Sequence, residues 1–183
     1  MTRDRSGQIH LLHNRCPHRG NRVCMTEQGN ARSFTCPYHG WTFANDGALK
    51  GWPFPSGYEG VDRKDHGLGK VARVASYRGF IFGSMAAEGP SLEEHLGAAM
   101  KSIDALCETS PEGEIEITAG FLKHKVKANW KFLVENETDG YHPSFVHASI
   151  FEVAQSGIGT LYSTDSAPVS RDFGNGHTQN DLR

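Results

Sequence analysis

Cys16-Pro17-His18-Arg19-Gly20 and Cys36-Pro37-Tyr38-His39-Gly40-Trp41 are the two stretches on which the reading of this chain turns. Each puts a cysteine and a histidine into a loop that also holds proline and glycine, as C-x-H and then C-x2-H, with seventeen residues between His18 and Cys36. Around them the chain reads as short extended segments over residues 8–13, 33–37, 41–44, 71–77 and 79–83, with Asn45-Asp46-Gly47 as a hairpin turn. Residues 52–58 hold two prolines that would remove ladder donors, so this aromatic stretch reads as a loop laid over the surface. The two Cys/His loops therefore belong to a small all-β region, assigned to residues 1–90.

The rest of the composition narrows the field. The chain has 183 residues, with 37% hydrophobic and 22% charged, and a mean hydropathy of −0.51. No run long enough for a membrane span occurs, and the polar start Met1-Thr2-Arg3-Asp4-Arg5 lacks a secretory apolar stretch, which favours a cytoplasmic location. Lys+Arg 19 against Asp+Glu 21 leaves a net charge of −2, so charge gives no case for nucleic acid or anionic lipid. Four cysteines beside ten histidines point to metal rather than to disulfides. Cys24 and Cys107 lie outside the pattern and read as buried small apolar residues.

Two Cys/His pairs in loops can serve one tetrahedral zinc or a two-iron cluster. Side chains one residue apart in an extended loop diverge, which strains chelation of one ion but suits neighbouring irons. In a Rieske [2Fe-2S] centre Cys16 and Cys36 would take one iron, and His18 and His39 the other. Neutral imidazoles in place of two thiolates favour the reduced form, with potentials of about −150 to +300 mV against about −400 mV for the all-cysteine plant type. Arg15, Arg19 and Arg22 crowd the first loop and offer a surface to an acidic electron donor.

Beyond Gly89-Pro90 the period changes. Ser91 with Glu94 forms a capping box, and Leu92, Leu96, Ala99, Met100, Ile103 and Leu106 predict one amphipathic helix to about Cys107. Ile115, Ile117, Ala119 and Phe121, then Leu122, His124, Val126 and Ala128, alternate as a strand with a bulge near Gly120. Asn129 caps a helix carrying Trp130, Leu133 and Val134; Pro143 starts another, running to about Gln155 and stopped by Gly157. Residues 91–183 are assigned to a second domain, and the fold class is α+β.

Acids and imidazoles concentrate in residues 135–147. His142 and His147 are five apart, about 140° around an ideal helix, so the helix must break or start there for both to face one ion. Pro143 suits such a start. Two histidines and a carboxylate form the facial triad of non-haem Fe(II) oxygenases.

The two loop sequences, and residues 135–147 with Asn129-Trp130-Lys131 ahead of them, resemble the alpha subunits of Rieske non-haem iron ring-hydroxylating dioxygenases. The resemblance spans essentially the whole chain. It implies a Rieske domain followed by the first part of a helix-grip, START-like catalytic domain. It implies His142 and His147 as ligands of a mononuclear Fe(II), in a D-x2-H-x4-H pattern. Asp139 then matches the bridging acid that holds the ligand histidine and, across a subunit boundary, a cluster histidine corresponding to His39. The family's third iron ligand is a distant downstream Asp; Glu152, Asp165, Asp172 and Asp181 do not resemble its context. A central piece of a larger subunit is the expectation, with sequence lacking at both ends, and such a piece could be inactive alone.

The implied reaction is cis-dihydroxylation of an aromatic ring by dioxygen, with Phe132, Phe145, Val146 and Phe151 as candidate pocket walls. Electrons would come from NADH through a ferredoxin or reductase partner, and the oligomer would be a homotrimer or α3β3. The form E-N-x2-D-G-Y-H resembles members acting on aromatic carboxylates. Asp172–His177 resembles a family segment and reads locally as a glycine-rich turn. Two rival readings are a Rieske-type electron carrier without oxygenase activity and a zinc-stabilised interaction module.

Overall fold

The computed structural model describes residues 1–117, 120, 122–155 and 169–181. It divides into two compact units, Met1–Gly89 and Pro90–Arg183. It is a mixed helix and sheet structure, α+β as expected, and among the described residues no helix is long and apolar enough to cross a membrane.

The first unit is built from antiparallel pairs. β1 (Thr2–Arg3) pairs with β2 (Ile9–His10). β3 (Ser33–Thr35), β4 (Thr42–Ala44) and β5 (Leu49–Gly51) form a three-stranded sheet, with Phe34 opposite Phe43. β6 (Arg73–Tyr77) and β7 (Phe80–Ser84) make a hairpin. The extended segment at residues 8–13 is shorter than expected; beyond β2 it continues only as a bridge between Leu12 and Lys70. Asn45-Asp46-Gly47 makes the predicted turn: Gly47 has φ +90° and donates to Ala44, while Asp46 Oδ1 accepts from Ala48 N. Cys16, Val23, Cys36, Trp41, Phe43, Leu49 and Leu68 form the core, so the two loop cysteines are core residues.

In the second unit α1 (Leu92–Leu96) starts at the predicted capping box, with Ser91 Oγ accepting from Glu94 N at 3.1 Å and Ser91 N donating to Glu94 at 2.7 Å. The single helix expected to Cys107 is two. Gly97, at φ +49°, breaks it, and α2 (Met100–Cys107) follows a short 3-10 turn. The strand expected over 115–128 has no ladder among its described residues, because no described strand lies beside it; Ala119 and Phe121 lie outside the described residues. α3 (Trp130–Thr138) is capped by Asn129, whose side chain accepts from Lys131 N.

The helix expected from Pro143 is likewise split, into α4 (Pro143–Val146) and α5 (Ala148–Gln155), by the non-helical backbone of His147. Its expected stop, Gly157, and the carboxylate Asp165 lie outside the described residues. β8 (Val169–Gly174) and β9 (His177–Asp181) form a hairpin through Asn175-Gly176, both at positive φ. Cys107 is buried as expected, but Cys24 is only half-buried, its thiol facing Thr26.

Candidate metal centres

The two Cys/His loops have one backbone design. In each, the cysteine carbonyl accepts from the glycine four residues on, Gly20 at 2.8 Å and Gly40 at 2.9 Å. In each, the cysteine N–H donates to the carbonyl five residues on, that of Asn21 or Trp41, at 2.8 Å. Both glycines have φ near +70°, a conformation that the missing Cβ permits. Histidine occupies the third position of the first loop and the fourth of the second, so C-x-H and C-x2-H place their rings differently on one frame.

Neighbouring residues close these loops. The second is the connection of the β3–β4 hairpin, fastened by the Thr35 and Thr42 hydroxyls at 3.0 Å. The first is stapled by Asn14, whose Oδ1 accepts from Val23 N and Cys24 N while its Nδ2 donates to Cys24 O. Sequence reasoning missed Asn14, although an asparagine beside a loop cysteine is an ordinary turn-closing signal.

The loops bring the four predicted residues together in pairs. Cys16 and Cys36 are 2% and 1% exposed and hydrogen-bond through their thiols. Burial pushes the Cys16 thiol up. Burial also opposes ionisation of Cys36, but the N–H groups of Tyr38 and His39, with Cys16 and Asn21, outweigh it and hold that thiol down. Backbone N–H groups aimed at sulfur suit a thiolate ligand. The His18 and His39 rings lie edge to face with centroids 4.5 Å apart. His39 is shifted toward neutrality by removal from water, then by the charges of His18 and Arg19, and neutral imidazole is the metal-binding form. Among the described residues no three or more Cys, His, Asp or Glu side chains converge as on a single ion. The donors stand as a sulfur pair and a nitrogen pair, a set that fits a cluster with one iron for each.

The second group lies where α3 ends. Asp139 leaves the helix, its Oδ1 accepting from Tyr141 N at 2.7 Å and its Oδ2 from His142 Nδ1 at 3.1 Å. The Tyr141 N–H first, then the His142 imidazole, hold the Asp139 carboxyl below its usual range. An ionised carboxylate only accepts, so Nδ1 is the donor in this bond and Nε2 is the ring nitrogen that Asp139 does not engage. That is the arrangement of a metal-ligating histidine held by an acid. His142 stands before α4 and His147 between α4 and α5, which brings their rings to 5.6 Å between centroids. The break removes the 140° divergence that a continuous helix would impose. His142, His147 and Asp139 thus form a pair of imidazoles with one ring oriented, a donor set that fits part of a facial site.

The remaining candidates fall outside this group. Phe132, Phe145 and Val146 are exposed rather than walls of a pocket, since no element of the described residues covers them; the side chain of Phe151 lies outside the described ones. Asp172 Oδ1 accepts from Gly174 N within the hairpin. His177 donates from Nε2 to the His95 carbonyl at 3.0 Å. Sequence reasoning also missed Ser170 and Asn180, which donate to the carbonyls of Thr138 and Glu137, the last turn of α3 before Asp139. The Asn175-Gly176 turn between them was the available signal.

Comparison with known proteins matches residues 1–77 to the Rieske [2Fe-2S] domain and residues 100–181 to the catalytic domain of the ring-hydroxylating alpha subunit. The toluate 1,2-dioxygenase alpha subunit of Pseudomonas putida is 44% identical over 80% of this chain and 33% of its own length. The anthranilate 1,2-dioxygenase large subunit of Acinetobacter baylyi is 40% identical over 85% of this chain and 33% of its own. A crystal structure of naphthalene 1,2-dioxygenase from Rhodococcus sp. bound to indole superimposes with a TM-score of 0.73 at 36% identity, covering 83% of this chain and 35% of that one. This chain thus spans about a third of the length of these relatives.

Proposed function

This chain belongs to the alpha subunits of Rieske ring-hydroxylating oxygenases, and on that premise we propose that it carries both metal centres' ligands for dioxygen-dependent hydroxylation of an aromatic ring. Cys16 and Cys36 hold one cluster iron, His18 and His39 the other, and His142 and His147 hold a mononuclear Fe(II). The division runs as a Rieske domain over 1–90 and the beginning of the catalytic domain over 91–183. When bound, the cluster supplies single electrons and the ferrous ion dioxygen activation, the product being a cis-dihydrodiol.

What carries the reading is the pair of loops of one backbone design that set two buried thiols against each other and two imidazoles 4.5 Å apart. The side chains have defined tasks around the metals. Backbone N–H groups of residues 38 and 39 keep Cys36 ready to ionise. Asp139 fixes the His142 tautomer and ring plane, and with 48% of its side chain exposed it can also meet His39 of a second copy. That second contact would shorten the path between centres and requires an oligomer, a homotrimer or α3β3.

The donor is a ferredoxin or reductase drawing on NADH, met by exposed Arg15, Arg19 and Arg22. The relatives named for toluate and anthranilate, with the E-N-x2-D-G-Y-H form of residues 135–142, support an aromatic carboxylate as substrate. Four free cysteines accord with a reducing cytoplasm.

His142→Ala tests the two-centre assignment: it should leave the cluster spectrum intact while abolishing binding of the further ferrous ion. Parallel loss of both signals contradicts it. In the full-length oligomer, Asp139→Ala should retain both metals and slow single-turnover electron transfer between them.

A further inference from the structure

Trp41 follows the second loop directly and is 4% exposed. Its indole lies parallel to the His18 imidazole of the first loop, with planes 5° apart and centroids 4.9 Å apart. His39 meets the same imidazole edge-on. Around the indole pack Trp52 at 5.2 Å, Tyr58 at 5.9 Å and His66 at 5.9 Å, and Trp52 and Tyr58 themselves stack at 4.4 Å. The aromatic loop read as laid over the surface thus packs onto the ring that lies against His18. Among the described residues Trp41 Nε1 is a buried donor without a partner. The indole therefore meets these neighbours through its faces and edges.

We propose that Trp41 is the positioning residue for His18: the indole fixes the plane of an imidazole that binds iron, and the aromatic loop of residues 52–66 fixes the indole. This rests on the assignment of His18 as a cluster ligand. Electronic coupling between imidazole and iron depends on rotation of the ring, and a stacked indole resists that rotation. Phe43, wholly buried in the same core, provides a comparison, because a structural role alone would make the two aromatic residues equivalent.

The 183-residue chain is reconstituted anaerobically with iron and sulfide as wild type, Trp41→Leu, Trp41→Phe and Phe43→Leu. Paramagnetic resonance of the reduced cluster and its midpoint potential are then measured. Trp41→Leu should change the g values and the potential, Trp41→Phe should keep both near wild type, and Phe43→Leu should lose stability with both unchanged. A cluster indifferent to Trp41→Leu, or equally altered by Phe43→Leu, overturns this role alone. A wild-type chain that takes up no cluster overturns the iron assignment and this role together. Independently of any variant, proton NMR of the metal-free wild type should show the His18 ring protons displaced upfield by the indole; unshifted protons overturn the stack.

Discussion

Gly40 is where the second loop tolerates least. Its φ is +70°, and a Cβ there would lie 2.8 Å from Pro53 Cγ, so Gly40→Ala meets backbone strain and a side-chain clash together. Stability should fall by about 1–2 kcal/mol from the backbone alone, read as a lower urea midpoint, and cluster uptake should fall with it. Asp4 gives a prediction of pH dependence. Its carboxylate accepts from Ser6 Oγ at 2.6 Å, His10 Nε2 at 2.9 Å, Ser6 N at 2.9 Å and Gln8 N at 3.0 Å. The Ser6 hydroxyl first, then His10, hold it far below the ordinary value of 3.8. A depressed folded-state value means the stabilisation is complete above 3.8 and fades as pH falls through the lowered one. Asp4→Asn should therefore be less stable than wild type at pH 7, with the gap closing on acidification; a gap constant down to acid pH contradicts it. The candidate ligands were legible because Cys and His recur at a spacing that is chemical. Asn14 and Trp41 were not, because what they do depends on which loop lies against them, and spacing says nothing of that.

The hairpin β8–β9 reaches α1 and α3 through side chains that donate to carbonyls near the C-terminal ends of those helices. Asn175 Nδ2 donates to Glu94 and His95 carbonyls at 3.2 and 2.9 Å, and Ser170 and Asn180 donate to α3 at 2.9 and 2.7 Å. Ser170→Ala and Asn180→Ala should each lower stability by about 0.5–1.5 kcal/mol, and hydrogen exchange should quicken in the last turn of α3. Exchange unchanged there would detach the hairpin from the Asp139 segment. This hairpin escaped the sequence because its strands are largely polar and lack a clean apolar alternation; only its Asn-Gly turn was explicit. The opposite error occurred among the described residues of 115–128, where alternation was read as a strand. Alternation records which side of a chain is apolar, whereas a strand also requires a neighbour to bond with. Gly97 shows the same limit: apolar spacing runs through it at helical period, and only its positive φ ends α1.

The two units differ in how much they bury. Met1–Gly89 closes a core around its cysteines, while among the described residues of the second unit only Leu96 and Cys107 are buried apolar side chains. Trp130, Phe132, Tyr141 and Phe145 stay exposed, so the folded chain should bind an apolar dye, read as a gain in its fluorescence. On the first unit, Arg22→Glu should slow reduction of the cluster by an acidic ferredoxin at low salt, with the difference vanishing at high salt. An unchanged rate at low salt removes the arginines from donor docking. The decisive measurement concerns the sulfur and nitrogen pairs themselves. After anaerobic reconstitution and dithionite reduction, pulsed paramagnetic resonance should show a diiron signal coupled to nitrogens of two imidazoles, those of His18 and His39. A colourless chain holding zinc without sulfide, or a cluster with no imidazole nitrogen coupling, would contradict it.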